Sequence, residues 1–163
     1  MSTNLARFIL AFFNLFPLLA LAAEGSWVVK VPYASQHYGS NQQFEETNWG
    51  AGLGYLFHDV RTPVIGVSEV AVTGVLYKDS YGCDASNLQL RSVKRFGHFG
   101  TGLSVNLAHK CFNPKKQMEV KVFPTFTGTW DVTGSVTAVA DFVPKMGRLN
   151  QTGVLALSLE WRF

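Results

Sequence analysis

Charge, cysteine and long apolar runs are all scarce in this sequence, and each scarcity removes a class of function. Only 15% of the 163 residues are charged, and the formal net charge is +3. The lysines and arginines are scattered, so the basic stripe that marks a nucleic-acid binder is missing and no nucleic-acid partner is indicated. There are two cysteines, Cys83 and Cys111, with no CxxC pair, and the four histidines show no metal-ligand spacing. Nothing resembles a zinc cluster, and no metal is expected. No internal segment reaches the ~18 uninterrupted apolar residues of a membrane helix. No linker, low-complexity tract or second domain is evident, and the length suits one domain.

What is present points to β structure. Glycine, with 15 residues, and phenylalanine, with 13, are both abundant. That combination favours strands joined by tight turns over helix bundles. Residues 1–22 read as a cleavable signal peptide. Arg7 gives the positive start, Phe8 to Leu21 the apolar core, and Ala20-Leu21-Ala22 the small-x-small cleavage site. The remaining 23–163 form one domain. Export implies an oxidising compartment, in which Cys83 and Cys111 could pair; two unrelated free thiols are the alternative.

The exported part is a series of alternating segments. In Val154 to Phe163, Leu155, Leu157, Leu159, Trp161 and Phe163 fall on one face, and Ala156, Ser158, Glu160 and Arg162 on the other. "FGTGLSVNLA" (Phe99 to Ala108) and "WGAGLGYLF" (Trp49 to Phe57) repeat the pattern, with Gly50, Gly52, Gly54, Gly100 and Gly102 opposite the apolar face. A soluble sandwich turns such a face inward; an outer-membrane barrel turns it to lipid. Strands of about ten residues and aromatics at strand ends favour the barrel. In lipid, every backbone polar group must be paired within the protein, so the sheet must close. The expected architecture is therefore all-β: an eight-stranded antiparallel transmembrane barrel with strands near 27–35, 49–58, 64–77, 87–95, 98–109, 118–128, 133–142 and 153–163. Turns near 59–63, 96–97 and 129–132 are short, and loops at 36–48, 78–86, 110–117 and 143–152 are long and face outward. A monomer is the default for such a barrel.

This topology gathers chemistry at the outer rim. "VLYKDSYGCD" (Val75 to Asp84) ends a strand in Asp79 and Ser80, and His37 stands at the start of the first outer loop. A histidine beside a serine can act as a general base, and a carboxylate can orient it. Taken alone the signal is weak, because any exposed loop holds such residues in capping roles.

Several motifs, in order, resemble the PagP-type lipid A palmitoyltransferases, small eight-stranded barrels of the Gram-negative outer membrane. They are "VPYASQH", with Pro32 five residues before His37, then "FEETNWGAGLGYLF", "VLYKDSYG", "HFGTGLSVNL", "VFPTFTGTW", "ADFVPKMG" and "LSLEWRF". The resemblance implies transfer of a fatty acyl, palmitoyl-like chain from a glycerophospholipid to lipid A, the lipid anchor of lipopolysaccharide. It carries over His37 as general base, Asp79 as its electrostatic partner, and Ser80 as nucleophile or oxyanion-side donor. It implies no cofactor, since the donor ester already carries the activated acyl group. It also suggests that Pro32, Pro124 and Pro144, which cannot donate to a ladder, mark lateral doors for lipid tails; edge or loop prolines are the bland reading. The strand glycines would either leave room for an acyl chain or simply let strands bend and pack. Asn48 departs from the pattern, standing where the family has a proline. Cys83 and Cys111 fall in the second and third outer loops, where a disulfide would tie the two together.

Three other readings compete. A non-enzymatic barrel would use its loops for structure or surface binding. A lipid A deacylase would need a histidine near Ser158 and Glu160, and none accompanies them. A soluble periplasmic sandwich ranks last.

Overall fold

The computed structural model describes residues 24–39, 44, 46–62, 66–111, 115, 117–146 and 152–163. The signal-peptide reading of residues 1–22 lies outside them. Eight strands follow in chain order: β1 (Gly25–Tyr38), β2 (Gly50–Thr62), β3 (Gly66–Lys78), β4 (Asp84–Phe96), β5 (Phe99–Cys111), β6 (Met118–Asp131), β7 (Val136–Val143) and β8 (Gly153–Arg162). Each pairs antiparallel with the next, and β1 pairs with β8 from Val28↔Arg162 to Tyr38↔Gly153, so the sheet closes into a barrel. The eight expected strands are all present, with shifted ends. β1 runs through Tyr38, which puts His37 inside a strand rather than at a loop start. The last short turn lies beyond Asp131, because Asp131 still pairs with Thr137.

The period-two pattern decides what each face meets. Successive side chains point to opposite faces of a strand. On β8, Leu157, Leu159 and Trp161 are exposed while Ser158 and Glu160 are buried; on β6, Phe126 and Trp130 are exposed while Thr125, Thr127 and Thr129 are buried. Among the described residues, eighteen polar or charged residues are buried against twelve apolar ones, the inverse of a water-soluble core. A small apolar cluster of Val28, Leu56 and Ala71 fills one level.

Above that cluster lies a paired ionic layer. Arg91 grips Glu160 through two bonds of 2.7 and 2.6 Å. Lys30 lies 3.5 Å from Glu160 and 3.4 Å from Asp141. Gln89 accepts from Lys30 at 2.7 Å and donates to Asp141 at 3.0 Å. Buried charge is tolerable only when paired and hydrogen-bonded, and here each carboxylate has both. At the end with short turns, Asp131 joins Arg162, at 2.8 Å, and Arg95.

Two seams of the barrel open toward the other end. The β1–β2 ladder stops at Lys30↔Gly52 and resumes only as the isolated bridge Ala34↔Thr47. Pro32 sits in the break and has no N–H to contribute. The β6–β7 ladder stops at Phe126↔Phe142, with Pro124 and Pro144 just above it. The strand glycines follow their bland reading. A Cβ at Gly52 would stand 2.4 Å from the Gly74 carbonyl, and one at Gly102 would stand 1.9 Å from that of Ser92. The room beside them is taken by neighbouring strands, and among the described residues no glycine lines the interior cavity.

Candidate functional site

β3 ends at Lys78, and the chain turns at once. Asp79 N–H donates to the Cys83 carbonyl, Gly82 N–H donates to the Asp79 carbonyl, both at 2.9 Å, and Gly82 supplies the positive φ of 73° that the turn needs. The Asp79 side chain is 1% exposed and turned onto the backbone. Its Oδ1 accepts the N–H groups of Tyr81 and Cys83 at 2.9 Å, and its Oδ2 accepts that of Cys111 at 2.8 Å. Cys83 and Cys111 are disulfide-bonded, so the same two residues are tied covalently and through one carboxylate. Asp79 and the two sulfurs lie close enough to suggest a metal site. The sulfurs bond each other, however, and the carboxylate is filled by amides.

Ser80 follows, 8% exposed, with its Oγ 3.3 Å from the Oγ of Ser35. The Ser35 hydroxyl also bonds Asn48 Oδ1, and Asn48 Nδ2 donates to the Lys78 carbonyl at 3.0 Å. The backbone holds this pair together. Ser35 N–H donates to Glu46 O at 2.7 Å, and Asn48 N–H to Tyr33 O at 3.3 Å, so the first outer loop folds back onto β1.

His37 projects inward at the rim, past Gln36, the first polar residue on the outer face of β1. Its ring stacks on Phe44, with centroids 4.0 Å apart and planes 14° off parallel, and Phe44 in turn meets Tyr81 edge-on at 5.5 Å. Burial, with the Lys110 cation acting in the same direction, lowers the His37 pKa to about 4. The imidazole is therefore neutral at physiological pH, able to take a proton but a weak base, since its pKa lies well below that pH. Its Nδ1 is buried and has no hydrogen-bond partner among the described residues. Burial, with the Asp79 carboxylate adding to it, pushes the Tyr81 phenol up.

The three candidate residues thus share one end of the barrel without sharing one hydrogen-bond chain. His37 meets aromatics, Asp79 meets backbone amides, and Ser80 meets Ser35. Sequence reasoning missed Ser35, Phe44 and Tyr81. A register shift between Pro32 and Ala34 sets which residues of β1 face inward beyond it, so simple alternation could not find Ser35. Asn48 did carry a signal, as the departure from a proline.

Beneath Ser80 lies a cavity of about 140 Å³. Pro32, Ala34, Val75, Phe123, Val143 and Val154 give it apolar walls, and Lys30, Asp141 and Ser158 close its floor at the ionic layer. Ser35, Asn48, Ser80 and Lys110 stand at its upper end. Both open seams border it, through Pro32 on one side and Phe123 and Val143 on the other. An apolar pocket of this volume has room for about six carbons, a short stretch of hydrocarbon chain, with polar groups held at its upper end. No protein-family model and no curated protein sequence matches the chain.

Proposed function

We propose that this barrel sits in the Gram-negative outer membrane and moves a fatty acyl chain from a glycerophospholipid to lipid A or another outer-leaflet lipid. The observation that carries the reading is the apolar cavity walled between the ionic layer and Ser80. The outer surface supports the membrane location. From Val120 to Trp130 the outward positions of β6 are apolar or glycine, a span of ~33 Å along the strand, or ~25 Å across a bilayer at a ~40° tilt. Trp27, Phe99, Trp130, Trp161 and Phe163 gather at one end of that band, and Tyr33 and Trp49 meet edge-on at the other. The seams beside Pro32 and Pro124 give a tail a route between strands that need no ladder bond there.

In this reading the few carbons of the donor's tail next to the ester lie in the cavity, the rest of the tail runs out through a seam, and the ester stands at the level of Ser80. Neutral His37 takes the proton that the accepting hydroxyl gives up as its oxygen bonds the acyl carbon, and passes that proton to the lysophospholipid oxygen as the donor ester C–O bond breaks; Asp79 holds the turn that presents Ser80. Because His37 and Ser80 stand in separate hydrogen-bond groups, a barrel of the same shape with a structural or surface-binding role is the second reading. Mass spectrometry of lipid A and phospholipids separates the two. Cells expressing the parent should gain an acylated lipid that cells expressing Ser80→Ala or His37→Ala lack. Unchanged lipids with all three, each folded in the outer-membrane fraction, would refute acyl transfer.

A further inference from the structure

The hydrogen bonds around Ser80 allow only one arrangement of protons. The Lys78 carbonyl can only accept, so the Asn48 group facing it at 3.0 Å is the amide nitrogen. That turns Asn48 Oδ1 toward Ser35, and an amide oxygen can only accept. The Ser35 proton is therefore committed to Asn48. In the 3.3 Å contact between the two hydroxyls, Ser35 has only lone pairs to offer, and Ser80 must be the donor.

We infer that Ser35 and Asn48 are positioning residues for Ser80, fixing its hydroxyl as a donor toward Ser35 and presenting its lone pairs to the cavity. The pair also withholds any donor from the Ser80 oxygen on the Ser35 side. A negative charge on that oxygen is thereby disfavoured, and Ser80 is kept as a neutral hydrogen-bond acceptor. This departs from the roles of activated nucleophile and oxyanion-side donor, and leaves Ser80 to accept from the hydroxyl of the accepting lipid rather than to bond the ester. The arrangement depends on Asn48, since an apolar residue or a proline at 48 would free the Ser35 proton to turn toward Ser80.

The proton order can be read without any acyl transfer. Ser80→Cys places one free thiol in the protein, since Cys83 and Cys111 are bonded to each other. The folded barrel, purified in detergent, is alkylated with iodoacetamide at neutral pH, with the Cys83–Cys111 bridge checked by peptide mapping. Adding Asn48→Ala frees Ser35 to donate to the thiolate, and alkylation should speed up about tenfold, the effect of one hydrogen bond to the charged form. Adding Ser35→Ala as well should remove that gain. Tyr77, Lys110 and Asp79 surround the thiol equally in every variant, so they do not create the difference. Asn48→Val serves if Asn48→Ala fails to fold. An unchanged rate in the apolar variant, or a gain that survives Ser35→Ala, overturns the inference.

A second arm rests on the acyl-transfer reading. With the outer-leaflet lipids as substrates, Asn48→Ala and Ser35→Ala should lower kcat about tenfold while KM for the donor stays within twofold, and Ser35→Thr should restore it. A parent without acyl transfer refutes the function but leaves the thiol result to decide the proton order.

Discussion

Asp79→Asn tests whether the carboxylate serves the turn or the chemistry. Asparagine keeps one oxygen, enough for the Tyr81 and Cys83 amides, but sets an NH₂ against the Cys111 N–H now bonded at 2.8 Å. The variant loses one charge-assisted bond, worth about 1.5–3 kcal/mol, and leaves a buried donor unpaired at about 1–3 kcal/mol. These two costs overlap, and about 3 kcal/mol is the reasonable sum. Local opening at Cys111 then becomes about 100-fold easier, since every 1.4 kcal/mol is a factor of ten. Amide hydrogen exchange on the barrel in detergent reads this directly. Cys111 N–H should exchange about 100-fold faster, with Tyr81 and Cys83 less affected, and Asp79→Ala should release all three. Exchange at Cys111 within threefold of the parent would refute the structural role and return Asp79 to direct chemistry.

Replacing Cys83 and Cys111 by serine opens a loop of 28 residues and should cost about 3–4 kcal/mol by chain entropy, read as a lower urea midpoint. Arg91→Met leaves Glu160 with Lys30 alone, and a loss of about 3 kcal/mol or more is expected; the double variant with Glu160→Leu should regain much of it, and a double variant no more stable than Arg91→Met would refute the pairing argument. Because the His37 pKa is lowered to about 4, folding favours the neutral ring. Its contribution to stability is full above pH 6.5 and is lost as pH falls toward 4; likewise any rate that needs the neutral ring should hold to about pH 5, and an acid limb near 6.5 in the rate profile would refute the shift.

Much of the architecture was legible because one rule, strict alternation, governs a closed sheet with a polar inner face and an apolar outer one. Leu157, Leu159 and Trp161 had to share a face whichever way that face pointed. What alternation could not reveal was the interior's internal order. Lys30, Asp141, Glu160 and Arg91 come from four strands, and nothing local says that they meet at one level. The rim was legible as a place but not as a geometry. Asp79 and Ser80 are adjacent in sequence yet face different partners, because the turn through Gly82 sends the carboxylate toward Cys111 and leaves the hydroxyl beside Ser35. The glycines stayed ambiguous, since a missing side chain reads the same whether the space serves a ligand or a neighbouring strand.

The ionic layer also sets what can cross the molecule. It holds two cations, Lys30 and Arg91, and two anions, Asp141 and Glu160, so its net charge is zero and every member is already matched. A passing ion would find no unbalanced charge to draw it in and would have to break a two-pronged Arg91–Glu160 grip to proceed. Set in a bilayer, such a barrel is an electrical insulator: planar membranes containing it should show no steady conductance, and what enters its upper half must leave by the rim or a seam and not through the floor.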